Sequence, residues 1–366
     1  MDNNGDVLQK AKLAKTVILV MAGLIIFLSC WWIYSKVTLE KKNCNTMNSL
    51  YKDFPLIQSI NMENSTFSHS LRDYYVKTAY NCCCAGEYKN DFVSTCALKD
   101  CIKQGARCLD FEIYSVKNKP VIAVSSINDY TVKETFNSVP FATAMDVIND
   151  YAFSGSTSPC PSDPLILHFR IMSKNKPIYD TMATDLYNTL SDRMLGNDYS
   201  YENHGKNIGQ CPLKKLMGKV VIIVDKTNAL FEKTPLDEYV NIASNSIFMR
   251  ALTYDDVKYT PDMDELVDFN KKNMTICIPN LSASATNPAP AVAMSYGCQF
   301  VALAFQSFDQ YMEYYDLFFD EVGSAFVLKP ANLRYIPVTI DKPAPPPASN
   351  SYDQRNVSTD YYSFSI

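Results

Sequence analysis

The sequence has no excess of basic residues and no recognisable zinc motif. Its 34 lysines and arginines stand against 39 acidic residues, which gives a formal net charge of −5 at pH 7. Proteins that bind nucleic acid present a basic surface, so nucleic acid is not an expected partner. The 12 cysteines include no C-x-x-C pair with a matching His/Cys pair, which argues against a structural zinc site.

Charge is nearly absent from one long stretch close to the N-terminus. The segment Thr16–Val37 is apolar or uncharged except for Lys36. It is long enough to cross a hydrocarbon layer of about 30 Å as a helix. Trp31, Trp32 and Tyr34 cluster at one end, as in the aromatic belts of membrane proteins, and no small-residue cleavage site follows. The sequence therefore predicts an uncleaved, single-pass membrane anchor, and no second run of this kind occurs.

The flanks of this segment do not decide its orientation. Three lysines lie on each side of it: Lys10, Lys12 and Lys15 before, and Lys36, Lys41 and Lys42 after. The positive-inside rule therefore gives a tie. Cys82, Cys83 and Cys84 are consecutive, and most other cysteines lie in apolar runs, which is typical of reduced, buried thiols. This pattern favours the cytosolic side for the soluble part. Glycosylation sequons such as those at Asn64 and Asn273 are present, but so short a motif often occurs by chance.

The rest of the chain alternates short apolar runs with amphipathic helices. Near-continuous apolar runs are typical of parallel strands that are covered on both faces. The predicted strands are 107–114, 119–126, 163–171, 218–226, 274–279, 298–307 and 325–330. About seven or eight such repeats predict an α/β fold, a closed TIM-type (β/α)8 barrel. A doubly wound open sheet is the alternative, but no glycine-rich phosphate loop follows the first predicted strand.

Charged side chains interrupt two of the predicted strands near their carboxyl ends. Asp110 and Glu112 are two residues apart in one strand, and His168 and Arg170 are two apart in another. Side chains two apart on a strand point to the same face, and in a barrel the carboxyl ends of the strands line the active-site mouth. The sequence therefore predicts a cluster of two carboxylates, one imidazole and one guanidinium at the mouth.

Two stretches resemble the halves of phosphoinositide-specific phospholipase C. "KDCIKQGARCLDFEIYS…KPVIAVSS" resembles the X half, and "GCQFVALAFQS…GSAFVLKP" resembles the Y half. The resemblance implies a distorted TIM-type barrel, and the chain as a whole is similar to membrane-anchored phospholipase-C-like proteins of large DNA viruses. The expected organisation is an N-terminal tail (1–15), the anchor (16–37), a polar stalk (38–70), an X-like half (71–226), a Y-like half (227–340) and an extended Pro/Ser-rich tail (341–366).

Members of this family cleave the phosphodiester of phosphatidylinositol lipids with two histidines and a calcium ion; bacterial relatives have an arginine in place of the calcium but keep the histidines. The resemblance places Tyr80 at the first histidine position, followed by the retained Asn81, and Val124 at the second. Tyrosine, with a pKa near about 10, is a poor base at neutral pH, and valine transfers no proton. The phosphate-binding lysines of the family fall at Ile223 and Asp225. The resemblance therefore implies that most of the chemistry is lost, since each proton-transfer group contributes about 10²–10⁴-fold.

The inherited calcium positions are also altered. The resemblance implies that Asn81, Asp110 and Glu112 stand at calcium-ligand positions, while Arg170 stands where the family has a glutamate. Calcium prefers about six to eight oxygen ligands, several of them charged, and a guanidinium repels it. We therefore expect Arg170 to pair with Asp110 or Glu112. No cofactor is expected unless calcium still binds the inherited positions.

Three roles stay open for the cluster. It could be a structural ion pair that plugs the barrel mouth, a ligand site without catalysis, or a residual catalytic site with His168 as substitute base. The candidate substrate-binding residues are Asn81, Asp110, Glu112, His168 and Arg170. The other two histidines, His69 and His204, lie in polar segments and are expected to be solvated.

Two functions are consistent with these sequence features. The first is a membrane-anchored, catalytically degenerate phospholipase-C-like protein that binds an inositol-lipid headgroup or a protein partner. The alternative is an active phosphoric diester hydrolase that cleaves phosphatidylinositol lipids in lipid signalling.

Overall fold

The computed structural model describes residues 3–200, 206–337, 343–344 and 353–366. The chain divides into two compact units, Met1–Arg334 and Tyr335–Ile366. The helices of the first unit are α1 Asn3–Val37, α2 Leu39–Leu50, α3 Thr95–Lys103, α4 Phe141–Ala152, α5 Pro177–Leu190, α6 Tyr254–Lys258, α7 Met263–Lys272, α8 Pro290–Ser295 and α9 Gln310–Val322. Its strands are β1 Tyr74–Ala79, β2 Cys108–Val116, β3 Lys119–Ile122, β4 Val139–Pro140, β5 Leu165–Ile171, β6 Val220–Asp225, β7 Ile242–Ser244, β8 Met249–Thr253, β9 Met274–Ile278, β10 Phe300–Leu303 and β11 Phe326–Leu328. The second unit holds an antiparallel hairpin, β12 Asn356–Ser358 with β13 Ser363–Ser365.

Eight parallel strands form a nearly closed barrel with helices around it. Their order is β7-β6-β5-β2-β1-β10-β9-β8, and each neighbouring pair is parallel. Among the described residues no ladder joins β7 to β8, which follow each other directly in the chain. All residues of β1 and β5 are buried, as expected for strands that are covered on both faces. The predicted TIM-type α/β barrel is confirmed.

Two predicted strands lie outside the barrel, and three barrel strands escaped prediction. The runs at 119–126 and 325–330 contain β3 and β11, which pair antiparallel with β2 and β1. β1 was missed because its apolar run contains Lys77, whose ammonium is buried beside Asp316 at 2.8 Å. β7 and β8 were missed because they are short and are separated by only four residues, without a helix between them. The predicted end of α3 is correct, since Gly105 follows it with φ +76°.

The region predicted as a polar stalk, 38–70, packs on the barrel. It contains α2 and buries Met47, Tyr51, Ile57 and Ile60 in the core. A disulfide joins Cys44 of α2 to Cys96 of α3, with 5.8 Å between the Cα atoms. The expectation of reduced, buried thiols therefore holds for eight of the cysteines but fails for this pair. Sequence reasoning missed the pairing because it depends on how two helices far apart in the chain pack together.

Helix α1 contains the predicted membrane segment. Its portion Lys12–Val37 is 26 residues long, has a mean hydropathy of 2.4 and buries none of its most apolar stretch against the protein. A helix of this length and composition is able to cross a bilayer, and a signal sequence would have the same properties.

The two halves of the barrel share strand β1. It pairs with β2 of the X-like half on one side and with β10 of the Y-like half on the other, in the register Val76↔Phe300. We therefore expect residues 71–226 expressed alone to show no cooperative thermal transition, because β1 would lose β10 and β11 as partners. A fragment 38–334 is the control and should unfold cooperatively in calorimetry. A cooperative transition of 71–226 would show that the halves are separable.

Candidate active site

The predicted charged cluster is assembled by the pairing of two neighbouring parallel strands. In the ladder between β2 and β5, Asp110 lies opposite His168 and Glu112 lies opposite Arg170. All four side chains point to the barrel interior and are at least nine-tenths buried. The two-residue spacing in each strand therefore places the charges on one face, as the sequence predicts.

Arg170 lies at the centre of the cluster and contacts both carboxylates. Its Nε and one terminal nitrogen donate to Asp110 at 3.0 and 2.7 Å, and its other terminal nitrogen donates to Glu112 at 2.8 Å. The nitrogen that faces Asp110 also donates to the side-chain oxygen of Asn81 at 2.9 Å. The predicted ion pair is confirmed, and it involves both acids rather than one. Bidentate contacts of this kind hold a guanidinium in one orientation.

The four carboxylate oxygens of the cluster each have two hydrogen-bonding partners. Asp110 Oδ1 contacts His168 Nδ1 at 2.7 Å and Arg170 Nε, while Oδ2 accepts from Arg170 and from the backbone N–H of Asn81. Glu112 Oε1 accepts from Arg170 and from the amide of Asn81. The remaining oxygen of Glu112 accepts from two further donors, Tyr114 OH at 3.0 Å and the backbone N–H of Ser125 at 3.1 Å. Buried carboxylates of this kind are fully compensated.

The ion pair changes the pKa of its members. Burial alone would raise the pKa of Asp110, but the charge of Arg170 and the hydrogen bonds from His168 and Arg170 hold it well below its usual range. Burial would lower the pKa of Arg170, but Asp110, Tyr80 and Glu112 raise it well above the usual value. Asp110 is therefore ionised and Arg170 is charged at neutral pH.

This arrangement does not fit a calcium ion. A calcium site needs several oxygens with lone pairs directed at one point, at about 2.3–2.6 Å from the ion. Here the oxygens of Asp110 and Glu112 are directed at the guanidinium of Arg170, which contacts them at 2.7 to 3.0 Å. Among the described residues no group of three or more His, Cys, Asp or Glu side chains could hold a metal ion. No step of chemistry at this site is therefore derived through calcium.

His168 takes part in a buried chain of hydrogen bonds. Its Nδ1 contacts Asp110 at 2.7 Å, and its Nε2 contacts the hydroxyl of Ser244 at 3.0 Å. The order carboxylate, imidazole and hydroxyl matches the order of a nucleophilic triad. However, Asp110, His168 and Ser244 each have 0% of their surface exposed. The hydroxyl is therefore shielded from solvent in this structure, and the chain of hydrogen bonds connects β2, β5 and β7.

Tyr80 and Val124, which stand at the two histidine positions of the resemblance, are both buried. Tyr80 is 3% exposed and Val124 is 1% exposed. The Tyr80 ring lies 4.9 Å from the guanidinium carbon of Arg170 and packs edge-on against Tyr88. Burial raises the pKa of the Tyr80 hydroxyl, although the charge of Arg170 opposes this. Tyr80 is therefore a neutral packing partner of Arg170 at neutral pH.

A small cavity opens above the cluster at the carboxyl ends of the strands. Its volume is about 140 Å³, and Glu112, Arg170 and Asp225 supply its charged lining. Asp225 accepts hydrogen bonds from Thr227 and Asn245 at the end of β6. Asp225 and Ile223 stand at the positions where the resemblance implies phosphate-binding lysines, and Ile223 is 1% exposed. The mouth therefore carries a carboxylate in place of a cation.

Several residues of the site were not anticipated. Ser244, Tyr114 and Ser125 complete the hydrogen bonds of His168 and Glu112. Tyr114 continues the two-residue spacing of Asp110 and Glu112, so this residue could have been found from the pattern. Ser244 ends the three-residue strand β7, and Ser125 contributes only a backbone N–H, so neither gives a sequence signal.

The other two histidines are not part of the cluster. His69 is half-buried, and its Nε2 lies 3.2 Å from Arg334 in the segment before β1, at the opposite end of the barrel. It was expected to be solvated, but it packs against Tyr74 and Arg334. His204 lies outside the described residues.

Two family models match the chain and together cover most of it. The model described as phosphatidylinositol-specific phospholipase C, X domain, matches residues 67–226, and the model for the Y domain matches residues 230–332. The chain belongs to the phosphatidylinositol-specific phospholipase C family. Its X and Y domains follow each other with almost no insertion. No curated protein sequence matches the chain.

Solved phospholipase C structures share the fold of the chain. PLC21 of L. pealei aligns with a TM-score of 0.61 and 22% identity over 77% of this chain and 39% of its own. PLC21 of S. officinalis aligns with a TM-score of 0.59 and 20% identity over 78% of this chain and 40% of its own. The chain thus spans about two fifths of these relatives. At these identities the likeness shows the barrel fold alone, and similarity to proteins of large DNA viruses stays a prediction.

Proposed function

We propose that the chain is a membrane-anchored phospholipase-C-like module that does not hydrolyse phosphatidylinositol lipids. The observation that carries this proposal is that Tyr80 and Val124, at the positions that the resemblance gives to the two histidines, are only 3% and 1% exposed. Arg170 also contacts Asp110, Glu112 and Asn81 at once. The residues that the family would use for a metal ion instead neutralise a guanidinium. The cluster therefore acts as a charged plug that stabilises the barrel mouth, in line with one of the roles that the sequence left open.

The remaining candidate base does not restore catalysis. A general base must come within hydrogen-bonding distance of a proton on the substrate. Both ring nitrogens of His168 are already bonded, to Asp110 and Ser244, and the side chain is inaccessible. Tyr80 and Val124 offer no alternative, because one stays neutral and the other has no titratable group. These contacts favour the inactive module over the active hydrolase.

The anchor leaves the barrel at the end that carries the mouth. Thr38 is the one residue between α1 and α2, and helical backbone hydrogen bonds continue across it. The start of α2 lies beside the start of α3, where Asn43 donates to Asp91. The segment after α2 meets the end of α3, where Gln104 donates to the carbonyl of Asp53. The two helices therefore run in the same direction. Because α3 starts at the carboxyl end of β1, α1 extends away from the barrel on the mouth side.

The end of α1 also contacts the mouth loops directly. Lys36 Nζ lies 3.5 Å from the carbonyl oxygen of Asn90, in the loop after β1. The same ammonium lies 5.2 Å from the ring centroid of Phe136, in the loop between β3 and β4. Exposed apolar side chains occur on the loops at this end: Ile127, Val132, Phe136, Leu281 and Phe308. The mouth loops are thus suited to lie against the bilayer in which α1 is embedded.

The charge of the mouth disfavours a phosphorylated headgroup as ligand. Among the described residues that line the cavity, Arg170 is the one cation, whereas Glu112 and Asp225 are carboxylates. Arg170 already directs most of its N–H groups at acids of the cluster. At about 140 Å³ the cavity is also smaller than the range of about 300–1,000 Å³ that is common for ligand pockets. We therefore propose that the module contacts the lipid surface through its apolar loops rather than through phosphate recognition.

We expect the detergent-solubilised full chain to release no inositol phosphate from phosphatidylinositol or its bisphosphate, with or without calcium. The reason is that neither proton-transfer position holds a titratable group of suitable pKa, and the calcium positions are occupied by Arg170. Product release measured against a catalytically active member of the family, under identical conditions, tests this. Turnover that rises with calcium, or micromolar calcium binding in calorimetric titration, would contradict the proposal.

A further inference from the structure

The disulfide between Cys44 and Cys96 bears on the compartment in which the barrel lies. The two cysteines belong to helices that other contacts hold together, since Asn43 donates to Asp91 at 2.9 Å and Lys103 donates to the carbonyl of Lys52. Disulfides form and persist in oxidising compartments and are rare in the cytosol. A cross-link between two partly buried, structural helices is unlike the transient disulfides of redox catalysts. This pair therefore points to the non-cytosolic side of the membrane.

The remaining thiols do not argue for the cytosol. Eight of the ten free cysteines are buried, including the consecutive Cys82, Cys83 and Cys84. Burial raises the pKa of each of these three thiols, so they hold almost no reactive thiolate. Thiols of this kind stay reduced in either compartment because oxidants cannot reach them. The pattern that favours the cytosol in the sequence is therefore uninformative once burial is known.

Two of the glycosylation sequons of the chain, those at Asn64 and Asn273, differ in their access to solvent. In Asn64-Ser65-Thr66 the asparagine is exposed, its side-chain oxygen accepts from the backbone N–H of Thr66, and its amide nitrogen donates to no atom of the described residues. In Asn273-Met274-Thr275 the threonine is fully buried and bonded to Asn270, and the asparagine side chain accepts from Asn207. Only the first of these two could enter an enzyme active site without unfolding of the barrel.

The position of Asn64 also keeps it away from the bilayer. It lies in the segment that leads into β1, and the N-terminal ends of barrel strands are opposite the mouth. By contrast, Asn280 of the sequon Asn280-Leu281-Ser282 follows β9 at the mouth, and its side chain accepts from the backbone N–H of Asp255. A bulky sugar at Asn64 therefore disturbs neither the core nor the proposed contact with lipid.

We propose that the barrel lies on the non-cytosolic side of its membrane and that Asn64 carries an N-linked glycan. In this reaction the bond between the anomeric carbon of a lipid-diphosphate-linked oligosaccharide and its diphosphate breaks. A new bond forms from that carbon to the side-chain nitrogen of Asn64, which loses one proton, and the lipid diphosphate leaves. The Cys44–Cys96 bond forms by exchange with an oxidised disulfide donor, which takes up the two electrons. The mouth then faces the leaflet that is poorer in anionic lipids, in agreement with the excess of carboxylates over cations in the lining of its cavity.

The test uses the full chain expressed in eukaryotic cells, with the variant Asn64→Gln and the matched control Asn273→Gln. Digestion with an N-glycosidase is expected to increase the electrophoretic mobility of the wild-type chain and of Asn273→Gln. The undigested Asn64→Gln chain should migrate faster than the wild type by the size of one glycan. Thr66→Ala removes the acceptor motif and keeps the asparagine, so it should give the same result if Asn64→Gln folds poorly.

Two outcomes would overturn the inference. If the wild-type chain does not respond to the glycosidase, and Cys44 and Cys96 are both alkylated without prior reduction, the barrel is cytosolic. If the wild-type chain responds but neither Asn64→Gln nor Thr66→Ala loses one glycan, the assignment of the site to Asn64 is wrong. Neither result depends on whether the barrel hydrolyses lipids, so failure here is distinct from failure of the proposed function.

Discussion

Arg170→Ala is expected to lower the free energy of unfolding by about 3–5 kcal/mol, which is the usual effect of breaking one side of a buried ion pair. The substitution leaves Asp110 and Glu112 buried, close together and without a cation, since Arg170 bridges both at 2.7 to 3.0 Å. The loss is a large share of the total stability of a typical domain, which is about 5–15 kcal/mol. Denaturant titration of the detergent-solubilised chain measures it.

Arg250→Ala is the matched control for this effect. Arg250 also makes a two-pronged contact with one acid, Glu265, at 2.6 and 2.9 Å, but both side chains are substantially exposed. Exposed ion pairs contribute about 0–1 kcal/mol, so this variant should unfold nearly like the wild type. Equal losses in the two variants would show that the buried cluster has no special role in stability.

A neutral version of the cluster separates the effect of charge from the effect of packing. The triple variant Asp110→Asn, Glu112→Gln and Arg170→Met removes all three charges and keeps similar side-chain volumes. It should recover a large part of the stability that Arg170→Ala loses, because no unpaired charge is left in the interior. If the triple variant is as unstable as Arg170→Ala, lost packing against Tyr80 explains the result instead.

Arg170→Glu tests whether the inherited metal positions are latent. It places three carboxylates beside Asn81, so the variant should be less stable than the wild type without calcium. A cation at 100 times its dissociation constant would then stabilise the fold by about 2.7 kcal/mol. No stabilisation of the wild type is expected at the same concentration. Calcium-dependent stabilisation of the wild type, rather than of Arg170→Glu, would return Asp110 and Glu112 to the role of ligands.

The core of the site could be predicted because strand geometry is local. Asp110 with Glu112, and His168 with Arg170, share faces as a consequence of two-residue spacing, and neighbouring parallel strands bring the two faces together. That Arg170 contacts both acids could not be predicted, since it depends on the register between β2 and β5. The contact of Ser244 with His168 could not be predicted for a similar reason, because it forms only when β7 pairs with β6.

The fold was predictable where burial made the strands uniformly apolar. β5 and β6 read as strands because nearly all their residues are buried and most are aliphatic. β1 could not be recognised as a strand, because a buried lysine, Lys77, interrupts its apolar pattern. The charge of Lys77 is compensated by Asp316 of α9, which is far away in the chain. The packing of region 38–70 was missed for a related reason, since its few apolar residues are widely spaced and α2 is mostly polar.

The second large effect is expected from removal of the Cys44–Cys96 disulfide. The bond closes a loop of 52 residues. The chain-entropy relation for a loop of this size gives a stabilisation of about 4 kcal/mol. The double variant Cys44→Ser and Cys96→Ser should therefore lose roughly this amount, and a reductant should have the same effect on the wild type. Cys211→Ser is the control, because Cys211 is a half-buried free thiol that is not part of the bond.

The loss of stability should be concentrated where α1 and α2 join the barrel. Without the disulfide, α2 is held to α3 by Asn43, by the hydrogen bonds to residues 52 and 53, and by the burial of Met47 and Tyr51. Limited proteolysis should therefore cut region 38–70 of the reduced chain before it cuts the barrel strands, and thermal unfolding should begin there. If a reductant changes neither the unfolding midpoint nor the cleavage pattern of the wild type, Cys44 and Cys96 are not cross-linked in the protein. The inference that the barrel lies in an oxidising compartment would then lose the support of the disulfide, and glycosylation of Asn64 would remain as its test.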